Sequence, residues 1–195
     1  MSNIFTATKK NKKPFLRSKK TKAYGVTFRS QLEARWATFF RKLKIKWRYE
    51  PDWFLLDNGN GKTVAYKPDF YLPDYNLWIE IKPPRKLLEV EREKAAFFIT
   101  CAKKGKDTGM VVKNPKLLVL ATNVAASLPR VPQAWYLYTT QNQVHADRVK
   151  LGFANGKFML VDIAQPASDE AVLQVTANKT ILEAYEYAQR RKFKK

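Results

Sequence analysis

Asp69 stands in Lys67-Pro68-Asp69-Phe70-Tyr71-Leu72-Pro73, and ten residues separate it from Glu80. Glu80 and Lys82 flank Ile81 in the run Leu77-Trp78-Ile79-Glu80-Ile81-Lys82. On a strand alternate side chains share a face, so Glu80 and Lys82 point together while Ile81 points into the core. Charges set beside Trp78 and Ile79 are costly near a core unless an ion or a partner compensates them. Two carboxylates and a lysine are what phosphodiester hydrolysis requires. Carboxylate oxygens suit Mg²⁺, which keeps several waters and binds through one or two acids plus the substrate phosphate; Mn²⁺ is expected to substitute. Such an ion turns a water into a nucleophile and offsets charge on the phosphate. Lys82 would orient that water or bring positive charge to the phosphorus. The peptide C=O of Ile81 lies between the two charged residues and offers a further ligand.

These residues need a scaffold, and the hydrophobic pattern supplies one. Ser30 to Leu43 reads as a helix, with Leu32, Trp36, Phe39, Phe40 and Leu43 on one face and Ser30/Glu33 as a capping box. Trp47 to Leu56 is extended and interrupted near Pro51, and Asp57-Asn58-Gly59-Asn60-Gly61 is a turn cluster. A second strand is expected through Thr63 to Leu72 and a third from Leu77 to Lys82, stopped by Pro83-Pro84, which cannot donate to a ladder. A hairpin between them would bring Asp69 close to Glu80. Leu87 to Lys104 suits a helix closed by Gly105, and Leu117 to Thr122 a buried strand. Further on, Trp135 to Thr139 suits a strand and Val149 to Ile163 a hairpin turning at Asn155-Gly156. Asn178 caps a last helix that buries Ile181, Leu182, Tyr185 and Ala188.

The charge points to a polyanionic partner. Lys and Arg number 37 against 17 acids, for a net charge of +20. Thirteen of these charges lie in two acid-free stretches: Lys9, Lys10, Lys12, Lys13, Arg17, Lys19, Lys20 and Lys22 at the front, and five from Arg190, Arg191 and Lys192 to Lys195 at the end. Such stretches read as arms on DNA, because each cation that neutralises a phosphate releases counterions; simple solubility is the rival reading. The single cysteine, Cys101, excludes an intrachain disulfide and fits a reducing, cytoplasmic compartment. One Cys and one His cannot build a zinc finger, so any metal must sit on oxygen. No apolar run approaches the roughly 18–20 residues that cross a bilayer, and the basic front lacks the apolar stretch of a secretory signal.

Pro68-Asp69 with Glu80-Ile81-Lys82 resembles the signature of the PD-(D/E)xK nuclease superfamily. The expected α-β-β-β-α-β order resembles its core over about residues 24–122, and Phe28 to Glu33 resembles the start of its acid-bearing first helix. Tyr49-Glu50 and the Pro-Asp-Phe-x-Leu-Pro block are similar to phage endonucleases that resolve branched DNA and to nucleases of phages and mobile elements. Lys82-Pro83-Pro84 departs from the glycine such enzymes often place there. The resemblance implies an α/β restriction-endonuclease-like core with a mixed central sheet, and metal-dependent cleavage of DNA. It implies metal ligands Asp69 and Glu80, catalytic Lys82 and a helix acid, Glu33. A phage-borne chain would act in the host cytoplasm. Organisation is then a flexible arm (1–22), one nuclease domain (23–189, with 123–189 as an α+β extension) and a basic tail (190–195).

Blander readings stand beside these. Asp69 can cap a turn, Lys82 can be solvated, and the capping box accounts for Glu33 without chemistry. Glu50 reads as an exposed strand acid, His145 as a surface loop residue, and Trp36, Trp47, Trp53 and Trp78 as core rather than base-stacking platforms. Two rival functions remain: a Holliday-junction resolvase acting as a homodimer, with residues 135–189 forming the interface or merely covering the sheet, and a nucleic-acid-binding module without catalysis.

Overall fold

Tyr24 and Gly25, both at positive φ (55° and 76°), turn β1 (Thr21–Ala23) back onto β2 (Val26–Phe28). This structure is a computed structural model, and it describes residues 18–57, 61, 63–84, 89–124, 132–141, 143–163 and 169–193. The expected arm therefore gives way to ordered chain before residue 22, since Lys22 sits on β1. Ser30 starts α1 (Gln31–Lys42) by accepting the Glu33 N–H at 3.1 Å, as the capping-box spacing predicts.

Two short ladders follow α1. β3 (Arg48–Tyr49) joins the main sheet, whereas β4 (Phe54–Asp57) and β5 (Thr63–Tyr66) form a separate two-stranded hairpin. The single strand expected over Thr63 to Leu72 is thus two strands in two sheets. The chain leaves β5 at Tyr66 and enters the main sheet as β6 (Phe70–Leu72), and Pro68, which has no N–H to give, lies in the crossing.

A single 3-10 turn, Pro73–Tyr75, with Asn76 left-handed at φ 46°, joins β6 to β7 (Leu77–Ile81). Every residue of β7 is buried, as for a strand covered on both faces. α2 (Glu89–Cys101) crosses to β8 (Leu117–Leu120), which lies parallel to β7. Residues 85–88, expected to open this helix, lie outside those described. Gly105 does not close it. The helix ends at Cys101, and Gly105 sits in the following loop against the Asp52 carboxylate.

β9 (Gln133–Thr140), β10 (Gln143–Ala154) and β11 (Lys157–Asp162) then extend the same sheet antiparallel, giving the order β11-β10-β9-β8-β7-β6-β3. The Asn155-Gly156 turn, at φ 51° and 74°, joins β10 to β11 as expected. α3 (Asp169–Thr176), not foreseen, leads to α4 (Lys179–Arg190), capped by Asn178, whose Oδ1 accepts the Ile181 N–H. Ala184 takes the fully buried place expected of Leu182, which is only half-buried. Arg190 belongs to this helix rather than to a separate tail.

The protein is therefore mixed α/β, with a mixed central sheet between two apolar layers. On one face Ile79 and Ile81 meet α1 and α4, where Trp36 and Phe39 pack on Tyr185 and Phe40 packs on Phe70. Each such ring withdrawn from water contributes about 1.5–3 kcal/mol. On the other face Trp78, Leu117 and Val119 meet Phe98 of α2 and Phe54 of β4. Trp36 and Trp78 are thus core, while Trp47 and Trp53 are half-buried.

Candidate functional site

Glu80 and Asp69 meet because β6 and β7 are antiparallel neighbours in a fixed register. Phe70 pairs with Ile79, so the next step outward sets Asp69 opposite Glu80 at the end of the hairpin. Both carboxylates are buried, Asp69 at 2% exposure and Glu80 at 8%. Asp69 Oδ2 accepts the Ile81 N–H at 2.7 Å, and Oδ1 accepts Arg29 Nη2 at 2.5 Å. Glu80 Oε1 pairs with Lys82 Nζ at 2.6 Å, and Oε2 accepts the Tyr66 hydroxyl at 3.0 Å. Asp69, Glu80 and Lys82 thus form one constellation, with Ile81 tied to it through its N–H.

Burial, and then the neighbouring Glu80 charge, push the Asp69 carboxyl well above the ordinary aspartate range; the Ile81 N–H and Arg29 act the other way. Burial also disfavours charge on Lys82, but Glu80 foremost, with Asp69 and Glu91, outweighs it and raises the ammonium above the usual lysine value. The Glu91 carboxylate is 4.0 Å from Lys82 Nζ. Tyr66, half-buried beside Glu80, is held by desolvation and the Glu80 charge as a neutral phenol that donates.

Around this centre lies a second layer that the sequence pattern does not announce. Arg29, just after β2, bridges Asp69 and Glu50, its Nε 2.5 Å from Glu50 Oε1. Burial opposes its charge, but Asp69 and Glu50 outweigh it and keep the guanidinium ionised. Glu50, read from sequence as an exposed acid, is instead largely buried and also pairs with Lys67 at 3.4 Å. Its φ of +41° is left-handed, a conformation that costs a non-glycine residue about 1–3 kcal/mol. The Glu50 N–H, given to the Asp69 carbonyl at 2.8 Å, holds it there.

Glu33 is 7% exposed with both oxygens engaged: Oε1 accepts the Ser30 hydroxyl at 2.7 Å, and Oε2 accepts the Arg29 N–H at 3.0 Å and the Tyr49 hydroxyl at 2.6 Å. It reaches the centre through Arg29, whose backbone it holds and whose guanidinium meets Asp69. The capping box and the site are therefore one network. His145 lies on β10 rather than in a loop, with its Nε2 2.5 Å from Thr140 Oγ1.

The oxygen donors at this centre can be compared with what a divalent cation requires. Among the described residues no three His, Cys, Asp or Glu side chains gather as a metal cage. Mg²⁺ needs only one or two acids, and Asp69 and Glu80 supply two carboxylates with no nitrogen or sulfur ligand. Each carboxylate has about four lone-pair sites, and Asp69 and Glu80 each accept from two partners, so acceptor capacity is left over. The set fits a hard, oxygen-seeking ion.

Of the expected phosphate-binding residues, Lys9, Lys10, Lys12, Lys13 and Arg17 lie outside the described chain. Lys19 and Lys20 are exposed beside Ser18, whose hydroxyl donates to the Arg29 carbonyl at 3.0 Å, so the basic stretch runs up to the site's edge. Lys22 is exposed on β1, and Arg190 pairs with Glu186 at 2.6 Å. Arg191 and Arg41 both lie over the Tyr24 ring, at 5.4 and 4.9 Å, which brings the end of the chain beside a cation of α1. Lys192 is exposed. No helix among the described residues is long and apolar enough to cross a membrane. No protein-family model, curated protein or solved structure matches the chain.

Proposed function

We propose that this protein is a metal-dependent endonuclease that hydrolyses DNA phosphodiester bonds, with its core arranged as in restriction-endonuclease-like enzymes. The observation that carries the reading is the juxtaposition of two buried carboxylates, Asp69 and Glu80, across one hairpin, with Lys82 ion-paired to Glu80. Burying two like charges side by side is costly, and a divalent cation between them offsets that cost.

Asp69 and Glu80, with the peptide carbonyl of Ile81, would hold the Mg²⁺, which supplies an activated water and offsets charge on the phosphate. Lys82 places its ammonium toward the phosphate oxygens, where a fixed cation stabilises charge that grows in the transition state. Tyr66 and the Ile81 N–H orient the two carboxylates through single hydrogen bonds. Arg29 and Glu33 fix Asp69 from the α1 side. The exposed Lys19 and Lys20 extend the positive surface along which a DNA backbone would run.

Purified protein incubated with supercoiled plasmid tests this: nicking is expected in Mg²⁺ and absent in EDTA. Plasmid that is bound and left intact in Mg²⁺ and Mn²⁺ refutes the hydrolytic reading and leaves a binding module.

A further inference from the structure

Where α2 passes over the sheet it presents Ala95 and Ala96, and these short side chains do not fill the space beneath them. A cavity of about 500 Å³ results, within the range of small-ligand sites. Its apolar wall comes from Val119 on β8, Trp135 and Leu137 on β9, and Ala146 on β10. Glu80, paired with Val119 in the sheet, lines it together with Lys82 and Tyr66, so it adjoins the constellation described above. Arg92 and Lys94 of α2 add cationic groups to the same lining.

An apolar slot with an aromatic wall, cations at its side and a phosphate-handling pair at one end matches a nucleobase joined to its phosphate. A base stacked within a duplex cannot enter a recess; one that is unpaired or swung out can. We propose that the cavity receives the base of an unpaired nucleotide whose phosphate lies at Glu80 and Lys82. The inference rests on the phosphodiesterase reading for the position of that phosphate, and it narrows the substrate class to DNA carrying an unpaired base. Trp135 provides an aromatic surface, and stacking on such surfaces is tolerant of base identity.

The test is binding in EDTA, where no cutting occurs, of a hairpin oligonucleotide with one unpaired 2-aminopurine and of its fully paired counterpart. Fluorescence anisotropy gives the affinities and 2-aminopurine emission reports the base. The wild-type protein is expected to bind the unpaired form about tenfold more tightly, the order of one stacked base, with altered 2-aminopurine emission. Ala146 is exposed on its strand, so Ala146→Phe fills the slot without disturbing buried neighbours. It should bring the two affinities within about twofold while the melting temperature holds. Ala96→Leu fills the slot from the helix side and should do the same. Equal wild-type affinity for both oligonucleotides overturns the proposal, as does a tenfold preference that survives both filling variants. A filling variant that changes the mass seen by light scattering and leaves the DNA preference intact would assign the cavity to a second copy and equally overturn it. Because the measurement needs no hydrolysis, failure to nick plasmid refutes the enzyme alone, and the absence of any preference in the wild-type protein refutes the cavity alone.

Discussion

Gly105→Ala is expected to destabilise the protein by about 3 kcal/mol, and to do so only while Asp52 is present. The Asp52 carboxylate is fully buried and receives the N–H groups of Trp53 (2.9 Å), Asp107 (2.8 Å) and Thr108 (3.1 Å) and the Thr108 hydroxyl (2.5 Å). A Cβ on Gly105 would lie 1.8 Å from Oδ2 and 2.2 Å from Cγ of that carboxylate. Four donors hold the carboxylate in place, so the methyl must force the loop outward. Overpacking of this kind costs about 1–3 kcal/mol, and each charge-assisted bond lost adds about 1.5–3 kcal/mol. Reduced freedom of the unfolded chain returns about 0.4–1 kcal/mol. A net of about 3 kcal/mol lowers the melting temperature by about 6–12 °C at this chain length. Asp52→Ala alone should cost a similar amount, since water reaches the exposed Asp107 and Thr108. The double variant should cost no more than Asp52→Ala, because the new methyl enters vacated space. Urea and thermal unfolding of the four proteins measure the cycle, and additive losses near 6 kcal/mol would refute the reasoning. The same carboxylate carries a pH signature. Burial opposes its ionisation, but the Thr108 hydroxyl and the Asp107, Thr108 and Trp53 amides outweigh it and hold its folded value below the ordinary one. Its stabilisation is therefore present above the unfolded value of about 3.9 and is lost as pH falls through the lower folded value. The stability gap to Asp52→Asn should hold from neutrality down to about pH 4 and narrow only below it.

Asp69→Asn and Glu80→Gln should each abolish plasmid nicking in Mg²⁺ while DNA affinity in a gel-shift assay stays level or rises, because less negative charge faces the phosphate. Nicking at the wild-type rate by either variant would sink the assignment. Lys82→Ala should be inactive yet still bind Mg²⁺ by calorimetry. Deleting residues 1–17, which spares β1, removes five basic residues and should flatten the log–log salt slope of DNA binding by up to about 4–5, at roughly 0.9 per phosphate contact; an unchanged slope means those residues do not touch DNA. Tyr185→Phe should stabilise by about 1 kcal/mol, because the Tyr185 hydroxyl is buried with no hydrogen-bond partner among the described residues. A lower melting temperature for that variant would show that the hydroxyl is satisfied.

Local signals in the sequence carried the elements whose geometry is local. The Ser30 cap, the Asn178 cap and the Asn155-Gly156 turn each depend on residues within four positions of one another, and each lies where spacing predicts. The alternation that sets Glu80 and Lys82 together is equally local. What pattern could not show is which strand lies beside which. Thr63 to Leu72 reads as one extended run, because nothing within it reveals that its halves pair with different partners. Arg29 reaches Asp69 across 40 residues and Tyr66 reaches Glu80 across 14, distances at which periodicity says nothing. Glu50 was misread for the same reason. Its burial comes from Arg29 and Lys67, not from its own strand. Gly105 looked like a helix stop because glycine usually is one there, yet its place is fixed by a carboxylate 53 positions earlier.

The seating of α4 on α1 has a consequence for the order of synthesis. Arg29 and Glu33 flank the start of α1, whose Trp36, Phe39 and Phe40 are closed over by Ile181, Ala184, Tyr185 and Ala188 of α4. Chains emerge from the ribosome N-terminus first at about 5–20 residues per second. Residues 43–178, which lie between these helices, therefore take on the order of ten seconds to appear. Throughout that interval the aromatic face of α1 lacks its α4 cover, and the residues that steady Asp69 rest on an unfinished wall. A nascent chain thus carries Asp69 and Glu80 long before α1 is fully backed, and the docking of α4 completes the wall on which Arg29 and Glu33 rest.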